Sequence, residues 1–173
     1  MNETLQTILS RKSVKQYKST SVPKEYIEKI IEAGLSAPSG MNRQSPIILA
    51  VTDRQVRDEL SFLNAGKDPL GRKDPFYNAP CVLVVLADKN VPTRIYDGSL
   101  VMENMLLAAH SLGLGACWIH RAKETFEMPE GKAILQKLGI EGEYEGIGNC
   151  IVGYADAEPV AKPRKENRVY YID

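Results

Sequence analysis

Residues 97–112 carry apolar side chains around nearly the whole circumference of a helix: Leu100, Val101, Met102, Met105, Leu106, Leu107, Ala108, Ala109 and Leu112. A surface helix shows one apolar stripe, whereas a helix that is apolar on all sides must be buried on all sides. A chain of 173 residues is most simply one domain, 1–173. A single small domain seldom encloses a helix so completely, and packing against a second copy of the chain supplies the missing cover. Asp97 is placed to cap the start of this helix and Gly113 to stop it.

Other elements show the same kind of pattern. Thr4 is placed to cap a first helix with Leu5, Ile8 and Leu9 on one face. Pro23 suits the first turn of a second, striped by Ile27, Ile30, Ile31 and Leu35. Residues 47–51, 81–87, 116–119 and 146–154 read as buried strands. Residues 53–60 read as a surface helix with Val56 and Leu60 facing in, and 130–138 as a short helix. Residues 64–80 are irregular, as in a lid or binding loop. The tail is basic and unpatterned, then ends in Val169-Tyr170-Tyr171-Ile172, which needs a docking place in this subunit or its neighbour.

The totals narrow the function. With 22 basic and 22 acidic residues the chain is formally neutral, which argues against nucleic acid as a partner. Its start lacks the cationic-then-apolar pattern of a signal peptide, and no apolar run is long enough for a bilayer, so the expectation is a cytoplasmic protein with no membrane partner. Cys81, Cys117 and Cys150 stand far apart in apolar stretches and read as buried thiols rather than metal ligands; no metal is expected.

On this neutral background Arg11-Lys12-Ser13-Val14-Lys15 concentrates three cations and a hydroxyl. Two readings stand: a solvated basic turn, or a site for one small anion such as a phosphate monoester, which an arginine fork, a lysine charge and a serine donor would match. No Gly-x-Ser-x-Gly elbow or phosphate-cradling loop is present, and Gly113-Leu-Gly115 follows a helix rather than a strand, so it is a helix stop and not a dinucleotide fingerprint. A chain poor in catalytic side chains but rich in ligand-holding features fits an enzyme whose chemistry belongs to a bound cofactor.

Four segments in order carry a resemblance: Arg11-Lys12-Ser13; Ala37-Pro38-Ser39-Gly40-Met41-Asn42-Arg43-Gln44-Ser45-Pro46; Gly113-Leu-Gly-Ala-Cys-Trp118-Ile119; and the tail from Lys162. Together they resemble the short members of the nitroreductase family of FMN-dependent oxidoreductases. The resemblance implies an α+β fold, a central mixed β-sheet flanked by helices, built as an intertwined homodimer with two FMN sites at the interface. It implies that Arg11, Lys12 and Ser13 hold the phosphate and ribityl end of FMN, and that Lys162 and Arg164 close on the same phosphate. Pro38, Ser39, Asn42 and Gln44 would approach the isoalloxazine ring from the other subunit; without the resemblance they read as a polar turn. Trp118, Ile119 and His120 would pass under the flavin, with a structural histidine as the other reading of His120. Lys12 is a mild departure from the usual second position, and some relatives carry glutamate where His120 stands.

The implied reaction is ping-pong electron transfer from NADH or NADPH through FMN to a nitroaromatic or quinone-like acceptor, with no side chain as catalytic group. Lys12 or Lys15 near the ring edge would raise the flavin potential. Phe76 and Tyr77 would either cover the open ring face or anchor their segment to the core. A related flavin reaction (dehalogenation or ene reduction) and a non-catalytic flavin-binding, redox-sensing role remain the alternatives. The acceptor and the nicotinamide preference are not written in the sequence.

Overall fold

The computed structural model describes residues 1–66, 71 and 73–172. Among the described residues four strands form one sheet in the order β1 (Pro46–Val51), β2 (Cys81–Asp88), β4 (Tyr144–Gly153), β3 (Gly115–Ile119). All three pairings are antiparallel. Among the described residues the mixed character expected of the sheet is confined to a parallel bridge between Ser13 and Ala116. The difference arises because the basic segment lies along the edge of β3 without becoming a strand.

β2 divides its apolar side chains between two layers. Cys81, Leu83, Val85 and Ala87 pack with α2 (Lys24–Leu35) and α4 (Arg94–Ser111). Val82, Val84 and Leu86 face Leu60 of α3 (Arg54–Ala65), Phe126 of α5 (Ala122–Glu127) and Leu135 of α6 (Pro129–Lys137). Covered on both faces, the strand is a continuous apolar run rather than an alternating one. The β2–β4 register slips between Val85 and Leu86, so Ile147 bulges toward α4. Gly98 makes room for it: a Cβ there would lie 2.6 Å from Ile147. Among the described residues no helix is long and apolar enough to cross a membrane.

Several local expectations need correction. Asn2, not Thr4, caps α1 (Glu3–Ser10), its side chain accepting from the Leu5 amide at 2.9 Å. Pro23 sits one residue before α2 rather than in its first turn. α3 extends five residues beyond the expected 60, and α5 is an additional short helix behind the left-handed Arg121. Asp97 is not the cap of α4; Thr93 takes that position and Asp97 is buried one turn in. Gly113 does stop the helix, at φ 76°, with its amide on His110 and that of Leu114 on Ala109.

Of the 64–80 segment, residues 67–70 and 72 lie outside the described residues. Residues 74–79 are tied to the core through α3. Phe76 is fully buried and does not cover a ligand face. Arg57, only 2% exposed, places its guanidinium 5.5 Å from the Phe76 ring, donates to Ala79 O at 3.1 Å and grips both Asp74 oxygens at 2.9 and 2.8 Å. Asp74 also accepts from Ser61 Oγ and the amides of Phe76 and Asn78. Burial pushes the Asp74 carboxyl up, but hydrogen bonds from Arg57 and Ser61 and the Arg57 charge outweigh it and hold it below its ordinary value.

A folded-state value below the unfolded one means that Asp74 stabilises the fold above about pH 4 and that this contribution is lost on acidification. Asp74→Asn is therefore expected to cost about 2 kcal/mol at neutral pH, where one charge of a half-buried pair is removed, and to converge on wild type in acid. Urea unfolding across pH 2–7 measures this; a gap that does not change with pH would contradict it.

Candidate functional site

The basic segment is pinned by its apolar members. Val14 and Tyr17 are buried, and the Val14 amide donates to Ala116 O. The Tyr17 hydroxyl returns to Val14 O at 2.7 Å, and the Lys18 amide donates to Tyr154 O. Burial, with Cys117 and Cys150 nearby, raises the Tyr17 phenol far above its ordinary value, so it remains a neutral donor. Gly115 permits this close seating, since a Cβ there would meet Val14 at 2.8 Å. With residues 14 and 17 held inward, the polar residues between and before them are left at the surface.

Arg11, Lys12, Ser13, Lys15 and Lys162 line one cavity of about 600 Å³, together with Gln16 and residues 157–161. The chain thus brings five of the expected residues together, one of them from the tail. Among the described residues Arg11 Nε is buried without a hydrogen-bond partner; Glu103 Oε1 is 3.9 Å away. A buried N–H without an acceptor is costly, and a charged one more so. Lys12 Nζ lies 3.4 Å from Glu158, an exposed carboxylate of the cavity rim. Cationic groups and a hydroxyl around one cavity fit the phosphate end of FMN.

Lys15 also stands 5.9 Å from the centroid of the Tyr77 ring, which links this cavity to the segment held by Asp74. Cys117 on β3 lies behind Ser13. Burial raises its thiol above the ordinary value, against the opposing pull of the Ser13 hydrogen bond and the Lys15 and Arg11 charges. Burial alone pushes Cys81 up to about 12, and Cys150 is raised further still. The sequence offered no signal that Cys117, rather than the other two, would adjoin the basic segment, because the bridge between Ser13 and Ala116 is a long-range pairing.

The other expected residues lie elsewhere. Pro38, Ser39 and Gln44 line a separate recess of about 140 Å³ with Leu35, Ala37, Pro46 and Val101. Asn42 and Gln44 are exposed and bonded to each other at 3.0 Å. Met41, Asn42 and Gln44 all have left-handed backbones, with φ of 54°, 53° and 49°. Ser45 Oγ at the end of this loop is buried and has no hydrogen-bond partner among the described residues. Trp118 packs over Gly148 and Ile119 is 7% exposed in the core. His120 is exposed, and its carbonyl accepts from Asn64 at 2.9 Å. Arg164 is exposed on the tail.

Three apolar surfaces are left uncovered among the described residues. No residue of α1 is buried; Leu5, Ile8 and Leu9 are 49%, 42% and 52% exposed. Ile95, Tyr96 and Leu100 of α4 are exposed as well, as are Tyr170, Tyr171 and Ile172 of the tail. The all-round apolar helix is thus only partly enclosed by its own chain. Met105, in contrast, is fully buried inside the protomer, against Gly34.

Residues 8–154 match the Nitroreductase family. A protein of Archaeoglobus fulgidus, provisionally named NADH dehydrogenase/NAD(P)H nitroreductase, is 34% identical over 100% of this chain and 92% of its own. A protein of Methanothermobacter thermautotrophicus with the same provisional name is 31% identical over 67% of this chain and only 60% of its own length. A nitroreductase of Bacteroides fragilis, solved with bound FMN, superposes with a TM-score of 0.88 at 29% identity, each chain covered in full.

Proposed function

The chain belongs to the nitroreductase family, and from that premise and the basic cavity we infer that it is an FMN-dependent NAD(P)H oxidoreductase. The observation that carries the reading is the gathering of Arg11, Lys12, Ser13, Lys15 and, from the tail, Lys162 around one cavity. In this reading the Arg11 fork and the Ser13 hydroxyl receive the phosphate, and Lys162 and Arg164 close on it from the tail. Lys15, steered by Tyr77, supplies positive charge toward the ring end. Bound FMN supplies the two-electron chemistry that no side chain here carries. NADH or NADPH serves as donor in a ping-pong cycle, and nitroaromatic or quinone-like compounds as acceptors.

Anaerobic mixing of the yellow holoprotein with each nicotinamide tests the reading. Bleaching of the flavin band at a saturable rate, then its return on adding a nitroaromatic or a quinone, is the expected result. A flavin that neither nicotinamide reduces would favour the redox-sensing alternative.

The working form in this reading is an intertwined homodimer. The exposed apolar residues of α1 and α4 lie in the interface, the tail docks on the neighbour, and Pro38, Ser39, Asn42 and Gln44 reach the neighbour's flavin. Leu9 is a better probe of this than Met105, because a charge at Met105 would disrupt the protomer itself. Leu9→Glu leaves no unpaired charge in the folded protomer, yet buries one in the dimer. It is expected to raise the dimer dissociation constant by at least about a hundredfold. Sedimentation equilibrium reads this directly, and an unshifted dimer would remove α1 from the interface.

A further inference from the structure

We propose that Asp97 is a positioning residue for the reaction: its buried carboxyl group holds the Gly40 amide and so fixes the loop that carries Asn42. The proposal rests on the reading of residues 38–44 as the ring-side loop. Asp97 is 3% exposed, and no salt bridge reaches it among the described residues. Its Oδ1 accepts from the Gly40 amide at 2.9 Å and its Oδ2 from Thr93 Oγ1 at 2.7 Å. The contact joins α4 to a segment 57 residues earlier.

Gly40 opens a single turn of 3-10 helix, Gly40–Asn42, whose first amides have no partner within the turn. Asp97 satisfies one of them from outside. The fit allows nothing larger than glycine, since a Cβ at position 40 would lie 2.6 Å from Thr93 Oγ1. Beyond Gly40 three non-glycine residues are held left-handed, a conformation that persists only where the surroundings enforce it. Local bonds, Gln44 N to Ser39 Oγ and Asn42 N to Ser39 O, shape the loop but do not tie it to the rest of the fold. Among the described residues, its hydrogen bond to another element is the one to Asp97. That bond sets the height and tilt at which the exposed Asn42 and Gln44 are presented.

Hydrogen exchange and kinetics on the holoprotein test this. In wild type the Gly40 amide is expected to exchange at least about a hundredfold more slowly than exposed amides of the loop. Asp97→Asn retains an acceptor and should keep both this protection and wild-type turnover. Asp97→Ala should lose the protection, alter the visible circular dichroism of the flavin, and slow turnover about tenfold while FMN affinity changes less than about threefold. Combined with Asn42→Ala it should add nothing further, since both changes act through one loop. An unprotected Gly40 amide in wild type, protection surviving in Asp97→Ala, or additive losses would each overturn the proposal. If Asp97→Ala does not fold, wild type and Asp97→Asn decide it by protection and turnover. Wild-type turnover in Asn42→Ala would sink the ring-side reading of the loop. A slow Asn42→Ala beside a fast Asp97→Ala would sink this proposal alone.

Discussion

Arg11→Ala is expected to weaken FMN binding by about one to two orders of magnitude, the worth of a charge-assisted hydrogen bond to phosphate at about 1.5–3 kcal/mol. The loss should sit near the upper end. Among the described residues the Arg11 guanidinium has only the Glu103 carboxylate near it, at 3.9 Å, so its charge is left largely free for the phosphate. Fluorescence titration of the apoprotein measures it. Riboflavin, which lacks the phosphate, supplies the control: its weaker binding should hardly change. Equal losses for FMN and riboflavin would mean that Arg11 supports the fold or the ring, not the phosphate. Salt should narrow the difference, since Arg11 is partly exposed and screening acts on such pairs.

The parts of the fold that the sequence made legible are those whose reasons are local. A run of apolar residues from Cys81 marks a strand covered on both faces, and Gly113 marks a helix stop because only the C-terminal turn demands a left-handed residue there. The illegible parts depend on distant partners. Arg57 looks like a solvent-facing residue on an exposed helix until Asp74 and Ala79 arrive to bury it. Asp97 looks like a helix cap until Gly40 takes its carboxyl group. The short α5 has little pattern to read, and its left-handed lead residue, Arg121, is fixed in part by a bond to Ala65 O. In the candidate site, the basic segment was visible as a charge excess. Its meeting with Lys162 in one cavity, and the separate lodging of Pro38, Ser39 and Gln44, are tertiary facts.

That separation has a consequence in solution. If Arg11 and Asn42 complete one site from two subunits, a dimer of Arg11→Ala protein has two sites that bind FMN poorly, and a dimer of Asn42→Ala protein has two that turn over slowly. Asn42 is exposed, and if its loop approaches the ring as proposed, its loss should shift the flavin potential more than the affinity. Subunit exchange between the two variants then creates heterodimers with one doubly defective site and one intact site, because a two-fold axis places both substitutions in the same site. Random exchange makes about half the dimers mixed, each with one working site of two, so about a quarter of wild-type turnover should return. Should both residues serve the site of their own subunit, every site would keep one defect and mixing would restore nothing. Native mass spectrometry verifies that exchange has taken place, which makes an absence of recovery a decisive result against the shared site.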